Sequence, residues 1–595
     1  MERARGRAMF AFLLVAAGTF AAFFLWSIGS ESAYAAGIPI LAAILLAVPA
    51  RGFSSPIRQK ASMVGLILGW VVFGFAVLAG SDGPRSLAYF LLVPASVALF
   101  LGSAILDPRK SWSVLVGIVG VFLLVRWSSY HAFATFQGSD SFFHAGLVRY
   151  VVETGHVAPV ALADKYALTP GLHLLAAATQ LVTGLNVSDA MFWSIALSHL
   201  ALPLGLYALV SRANPSVPGL MGAALLAVDS TMVSTAINFN PVAYVVVLFV
   251  AILISLRTET LRSLAVFLLA CVAAVATHQL SAFVVILVCA SYGAMLLVAG
   301  PRRATSALPL LQTGFLVGAF VLVNLVLAQS LGITFANDVW AGLQASFKQA
   351  TPGAVEAITT ASSSLANNFL YKATLVATSG IAIAAAARAF IHRTPRDRAL
   401  GFAALVTLGL AFGLPFVGID LVADRWMAFA LLAGLASIGL LMANWSIGAK
   451  AGLAALVIGV AFFGITQPSV AHDIDYYAKE RNIQEQFDEP DLVAAAWSSQ
   501  ASDRALMDIG MTRLFRAYDA LGYRLALSQV EGEARLPSPA LLVVRESLLE
   551  DNRLHFALSR GVGFMLPGQA PLGFLDSLSL RDRVADEGAV VIYRV

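Results

Sequence analysis

Long apolar runs follow one another along most of this chain, and their length restricts what it can fold into. They lie near residues 8–26, 33–50, 61–80, 87–106, 111–127, 189–210, 217–237, 241–256, 263–278, 280–300, 307–329, 371–391, 399–417, 425–443 and 449–466. Wound as helices, runs of this size span about 30 Å, the thickness of a bilayer's hydrocarbon core. Backbone in lipid must satisfy its own polar groups, so the runs are expected to be helices and the chain a polytopic α-helical membrane protein of about fifteen spans. The chain is 59% hydrophobic and 12% charged, against roughly 25% charged in a soluble domain.

Basic residues orient the spans. Arg51, Arg58 and Lys60 follow the second run, and Arg109 and Lys110 follow the fourth, which puts both linkers and the basic N-terminus MERARGR in the cytoplasm. The fifth run ends at Arg126 and Trp127, a snorkelling and aromatic pair at the outer boundary, and delivers Asp140 outside. If Pro170–Gly184 crossed the bilayer, Arg212, Arg257, Arg262, Arg302, Arg303, Arg393, Arg396 and Arg398 would all face outward. The segment is therefore expected to lie on the outer surface as a short helix, with Thr169 as N-cap, Pro170 at its first position and Gly184 just past its end. The topology is then N-in and C-out.

Four regions follow: five spans in 1–127, an outer loop with juxtamembrane helices in 128–188, a ten-span bundle with an outer loop at 330–370 in 189–466, and an outer domain in 467–595. In the last region PDLVAAAWSSQ, TRLFRAYDALG and SLLEDNRLHFALSR read as helices and RALMDIG, ALLVVRE and AVVIYRV as strands, a small α/β domain. It carries no phosphate loop, catalytic triad spacing or zinc pattern, so its role reads as accessory. Residues 467–595 hold 13 Lys and Arg against 19 Asp and Glu, which leaves the net charge of +4 to cytoplasmic anchors in the membrane part rather than to nucleic-acid binding. Cys271 and Cys289 both sit inside apolar runs and read as structural.

Ionisable residues concentrate between Gly138 and Gly184: Asp140, His144, Arg149, Glu153, His156, Asp164, Lys165 and His173. Wound as a helix, 140–154 gathers Asp140, Phe143, His144, Leu147, Tyr150 and Val151 on one side and leaves Arg149 and Glu153 on the other as a solvated pair. An acid and an imidazole on an apolar face cost several kcal/mol unless they meet a partner, a metal or a substrate. Asp140 and His144 are thus the catalytic candidates, and also the candidates to hold a divalent cation such as Mg or Mn. Glu153, Tyr166, His173, His278 at the THQ tip, Asp229 within the outer half of its span, and Asp424 and Arg425 in GIDLVADRWMAF are candidates for substrate binding. Arginine suits a phosphate because its planar fork donates two hydrogen bonds and keeps its charge.

The pattern H-x4-R-Y-x2-E-T-G-H-x2-P from His144 to Pro159, then Y-x3-P-G-x-H-L-L-A-A from Tyr166 and TG at Thr183 and Gly184, follows an acid placed just after a span. This resembles the GT-C superfamily of membrane glycosyltransferases, which includes oligosaccharyltransferases and protein mannosyltransferases. By motif the resemblance covers roughly Val121 to Val210, and beyond that only the layout of spans and outer domain. It implies a sugar donor linked to polyprenyl phosphate, a glycan, lipid or protein acceptor, and an active site on the outer face of a plasma or inner membrane. It further implies Asp140 as base or metal ligand, Lys165 to Gly171 as the start of a surface helix, and Arg425 as the lipid-phosphate arginine. The motif here has one acid, GSDS, where many members have two, and four extra spans precede the loop. A transporter or lipid flippase using Asp229, His199 and His278 is the alternative, although the chain lacks the paired symmetric halves common in such proteins.

Overall fold

The computed structural model describes residues 55–81, 85–132, 139–211, 216–258, 260–299, 307–331, 365–392, 394–416, 423–466 and 493–498, and the strand segments 504–507, 521–524, 541–545, 582–586 and 590–594. The expected spans at 8–26 and 33–50, most of the loop 330–370 and Asp420 lie outside them. Every other expected run is helical. Helices α1 (Ser55–Ser81), α2 (Leu87–Leu106) and α3 (Ser111–His131) are followed by α4 (Ser139–Thr154), the short α5 (Val160–Ala163) and α6 (Gly171–Thr183). Then come α7 (Val187–His199), α8 (Ala201–Ser211), α9 (Val217–Val228), α10 (Ser230–Ile237), α11 (Pro241–Arg257), α12 (Leu261–Val275) and α13 (Gln279–Ala299). The membrane part closes with α14 (Ala307–Leu331), α15 (Leu365–Phe390), α16 (Pro395–Phe416), α17 (Ala423–Leu435), α18 (Ile438–Met442) and α19 (Ile447–Ile465).

Among the described residues, six helices are long and apolar enough to cross a membrane, or seven with α9 and α10 taken together. Shorter apolar helices include Leu261–Val275 and Trp426–Leu435. The fifteen expected runs are therefore more than the described helices that meet this measure. Three runs are interrupted. The run at 189–210 breaks between α7 and α8 because Pro203 has no N–H to offer the carbonyl of His199 one turn back. The run at 425–443 divides into α17 and α18, and that at 217–237 bends by 54° between α9 and α10.

Arg126 does not snorkel. It is fully buried, and its guanidinium donates to the carbonyls of Leu226 and Ala227, both at 3.1 Å, and of Phe122 at 3.2 Å. The first two are orphan carbonyls at the C-terminal end of α9, where the break leaves them without helical donors, so Arg126 supplies the missing hydrogen bonds. Asp229 completes the joint from the other side. As N-cap of α10, its carboxylate accepts the Met232 N–H at 3.1 Å. Gly464 near the end of α19 lies against this joint, where a Cβ would run into the Val228 carbonyl.

Beyond the membrane helices, β1 (Arg504–Met507), β2 (Leu521–Arg524), β3 (Leu541–Arg545), β4 (Asp582–Asp586) and β5 (Val590–Arg594) form one sheet in the order β2-β1-β3-β5-β4. The first three neighbours run parallel, and β5 is antiparallel to β3 and β4. The three strands expected from sequence are the central ones. Those not expected, LGYR and DRVAD, are the two edges, where short and charged strands are usual. β2 begins inside the stretch TRLFRAYDALG that reads as helix.

Candidate active site

α4, α6 and the start of α7 pack together at one end of the bundle. Phe142, Ala145 and Val148 of α4, Leu172, Ala176 and Ala177 of α6, and Met191, Phe192 and Ile195 of α7 share one apolar cluster. The cluster reaches Phe239 in the turn between α10 and α11, and continues into Leu541, Val543 and Ile592 on one face of the sheet. Tyr130 near the end of α3 stacks on Phe192 at 4.5 Å and donates to Asp189 at 3.3 Å, which ties the span before the motif to the one after it.

The two motif helices have the expected ends to within a residue. α4 is buried on a broad face that includes His144 and Leu147, while Arg149 and Glu153 lie on the wet side as an exposed i,i+4 pair at 3.8 Å. Glu153 therefore points away from that buried face. α6 stops at Gly184, whose φ of 71° is left-handed backbone that glycine adopts at little cost, and whose N–H bonds to the Gln180 carbonyl at 2.8 Å. At the other end Pro170 occupies the capping position, and Thr169 is buried beside it.

Between these helices His144 and His173 meet. His144 Nδ1 lies 2.9 Å from His173 Nε2, and each residue is only 2% exposed. One of the two facing nitrogens must carry a proton and the other accept it. Tyr166, in the short turn Asp164–Ala167, sets its ring edge-on to both imidazoles, with centroids at 5.0 and 5.8 Å. Burial, and next the facing His144, hold His173 neutral to well below the ordinary histidine range.

α6 is docked at its first residue. The Gly171 N–H donates to the Ala276 carbonyl at 3.2 Å, and a Cβ on Gly171 would collide with the Thr277 hydroxyl. This brings the 276–278 turn, with His278, against the start of the helix that carries His173. His278 is 5% exposed, and its Nδ1 faces Ser281, 2.8 Å from the hydroxyl and 3.3 Å from the N–H. Five residues on, Phe283 packs against Trp426 at 6.2 Å, which sets the first turn of α17 at the same end. Asp424 and Arg425 are helical there, and Asp140 is helical in the first turn of α4. The side chains of these three lie outside the described residues, as do those of Asp164 and Lys165.

Asp229 is engaged as the α10 cap. His199 bonds the Ala243 carbonyl through Nε2 at 2.8 Å. Sequence reasoning singled out His144 and His173 separately and did not pair them, because 29 residues and a reversal of the chain separate them. Their shared signal is that each sits on the apolar face of its own helix. Arg126 was read as a boundary residue, and no local spacing announces the carbonyls 100 residues away that it serves.

No protein-family model matches the chain, and no curated protein matches it in sequence. Among solved structures it is similar to an oligosaccharyltransferase of Archaeoglobus fulgidus tethered with an acceptor peptide containing the NVT sequon, at 12% identity and a TM-score of 0.47 over 74% of this chain and 70% of that one. It is also similar to the archaeal oligosaccharyltransferase AglB from Archaeoglobus fulgidus in complex with an inhibitory peptide and a dolichol-phosphate, at 12% and 0.45 over 70% and 64%. A third is ArnT from Cupriavidus metallidurans bound to undecaprenyl phosphate, at 14% and 0.44 over 82% and 98%. At these identities and scores the likeness is one of layout and assigns no residue.

Proposed function

We propose that this chain is a GT-C-like integral membrane glycosyltransferase, moving a hexose or pentose from a polyprenyl-phosphate donor to a glycan, lipid or protein acceptor at the outer membrane face. The observation that carries the reading is the buried pairing of His144 with His173 inside the stretch bearing the motifs, on helices that meet the His278 turn at one end of the bundle. Two imidazoles kept out of water, one of them a turn along α4 from the acid at position 140, are suited to proton transfer rather than to packing alone.

In this reading Asp140 takes the proton of an acceptor hydroxyl. The acceptor oxygen bonds to the anomeric carbon, the bond from that carbon to the phosphate oxygen breaks, and its electron pair leaves on the polyprenyl phosphate. Arg425 meets the charge that develops there. His278, in the turn docked against the start of α6, is taken to bind the sugar or phosphate of the donor. A divalent cation, if bound, would be held by Asp140 and His144 and would help meet the charge on the leaving phosphate. Lipid access fits α6, which is too short to span and leaves Leu174, Leu181 and Val182 exposed at 44%, 66% and 86%. The α/β unit is taken to lie on the same side, because its central strands join the α4, α6 and α7 cluster.

A photoreactive polyprenyl-phosphate sugar in proteoliposomes tests this placement. Labelled peptides from 139–183 and 276–283 are expected. Labelling confined to segments away from both contradicts it.

A further inference from the structure

α10 is short and two-sided. Thr231, Ser234, Thr235 and, at its C-cap, Asn238 recur at the spacing i, i+3, i+4 and i+7, so a helix sets them in one stripe. Met232, Val233, Ala236 and Ile237 fall on the opposite side. Burial follows that division residue by residue: the four apolar side chains are buried and the four polar ones are half-buried. Met232 and Val233 pack into the membrane core, and Ala236, with Phe239 just past the helix end, joins the cluster of α4, α6 and α7. α9, the preceding part of the same run, has no such opening, because every one of its residues is buried. The polar stripe thus begins at the Asp229 joint and runs toward the motif helices.

On the topology expected from the basic residues, α10 is the outer part of its run. A hydroxyl can sit in lipid there by bonding back one turn, as Thr235 does to the Thr231 carbonyl at 2.7 Å. Asn238 differs. Its Nδ2 donates to Ser234 Oγ at 3.0 Å, but its buried Oδ1 has no donor among the described residues. A carbonyl left so is costly unless something beyond the helix serves it. Ser234 accepts the amide and keeps its own O–H to give. α17, packed against α10, brings the buried Trp426, whose Nε1–H also lacks an acceptor among the described residues. Neutral donors and acceptors of this kind match hydroxyl groups. They match a phosphate poorly, since the stripe carries no cation and Arg126, at its base, is engaged by the carbonyls of Leu226 and Ala227.

Resting on the glycosyltransferase reading, we propose that the stripe of Thr231, Ser234, Thr235 and Asn238 is a carbohydrate-binding face, taking the ring hydroxyls of a neutral sugar beside the motif helices. Ser234 and Asn238 supply a donor and an acceptor one turn apart, while the phosphate is left to other residues. The sugar of the lipid-linked donor and that of a glycan acceptor share this chemistry.

The test is cysteine accessibility in the full chain in proteoliposomes, with S234C and T235C labelled by a membrane-impermeant methanethiosulfonate. Cys271 and Cys289 are buried and should stay silent. Both introduced thiols should react, and a polyprenyl-phosphate-linked hexose or pentose, or a methyl glycoside, should slow the reaction several-fold. Slowing by the lipid-linked sugar alone assigns the face to the donor, and slowing by the methyl glycoside alone assigns it to the acceptor; either supports the proposal. Thiols that do not react, labelling that none of these sugars slows, or equal slowing by sugar-free polyprenyl phosphate overturns it. Labelling needs no turnover, so the two readings fail separately. Protection in a chain that transfers no sugar removes the enzyme reading and keeps the sugar face, and transfer without protection does the reverse.

Discussion

His144 and His173, 29 residues apart in sequence, face each other at 2.9 Å with both rings out of water. Because His173 is held neutral to well below the ordinary histidine value, the folded chain lacks a proton that the unfolded chain binds once the pH falls below about 6.5. Stability should therefore fall as the pH drops through that value and recover above it. Thermal unfolding in detergent between pH 8 and 5 checks this, and H173L should flatten the dependence. A melting temperature that rises on acidification would contradict it.

The joint between α9 and α10 depends on Arg126 and Asp229. Removing the arginine alone leaves buried carbonyls without donors and a buried carboxylate without its nearby cation. R126M should therefore cost on the order of 3 kcal/mol, the scale of leaving more than one buried carbonyl without its donor. R126M with D229N should cost less than the two single changes added together. Additive losses in thermal unfolding would show the two residues to be independent.

At Gly171 the motif region approaches the 276–278 turn closely. A valine there has nowhere to put its side chain, so G171V should push α6 off Ala276 and lower sugar transfer more than it lowers stability. Comparing activity with melting temperature separates the two effects. Normal activity in G171V would show that this docking is dispensable.

Arg425 is assigned the donor phosphate. R425A should raise the donor KM about ten-fold or more, and R425K should recover only part of the loss, because a lysine keeps the charge but not the two-pronged geometry. Equal behaviour of the two variants would point to charge alone.

The membrane helices were legible because length and apolarity are properties of single segments. Even their interruption at α7 and α8 follows from Pro203, visible in the sequence. The bend at Asp229 was not legible, since it is set by Arg126 reaching across from another helix. Two of the central strands announced themselves through the β-branched runs ALLVVRE and AVVIYRV and the third through the apolar residues of RALMDIG, whereas the edge strands LGYR and DRVAD, having one open side, did not. In the site, Glu153 and Arg149 were correctly placed on the wet side by helical spacing, but nothing local could tell that His144 would find His173.

The most direct measurement of the central claim is transfer of a labelled sugar from a polyprenyl-phosphate donor by the purified chain in proteoliposomes, compared with D140N. Transfer by the natural chain, falling by about 10² to 10⁴-fold in D140N at unchanged melting temperature, is the predicted result, on the scale of losing a general base. Transfer that D140N leaves intact would contradict the account.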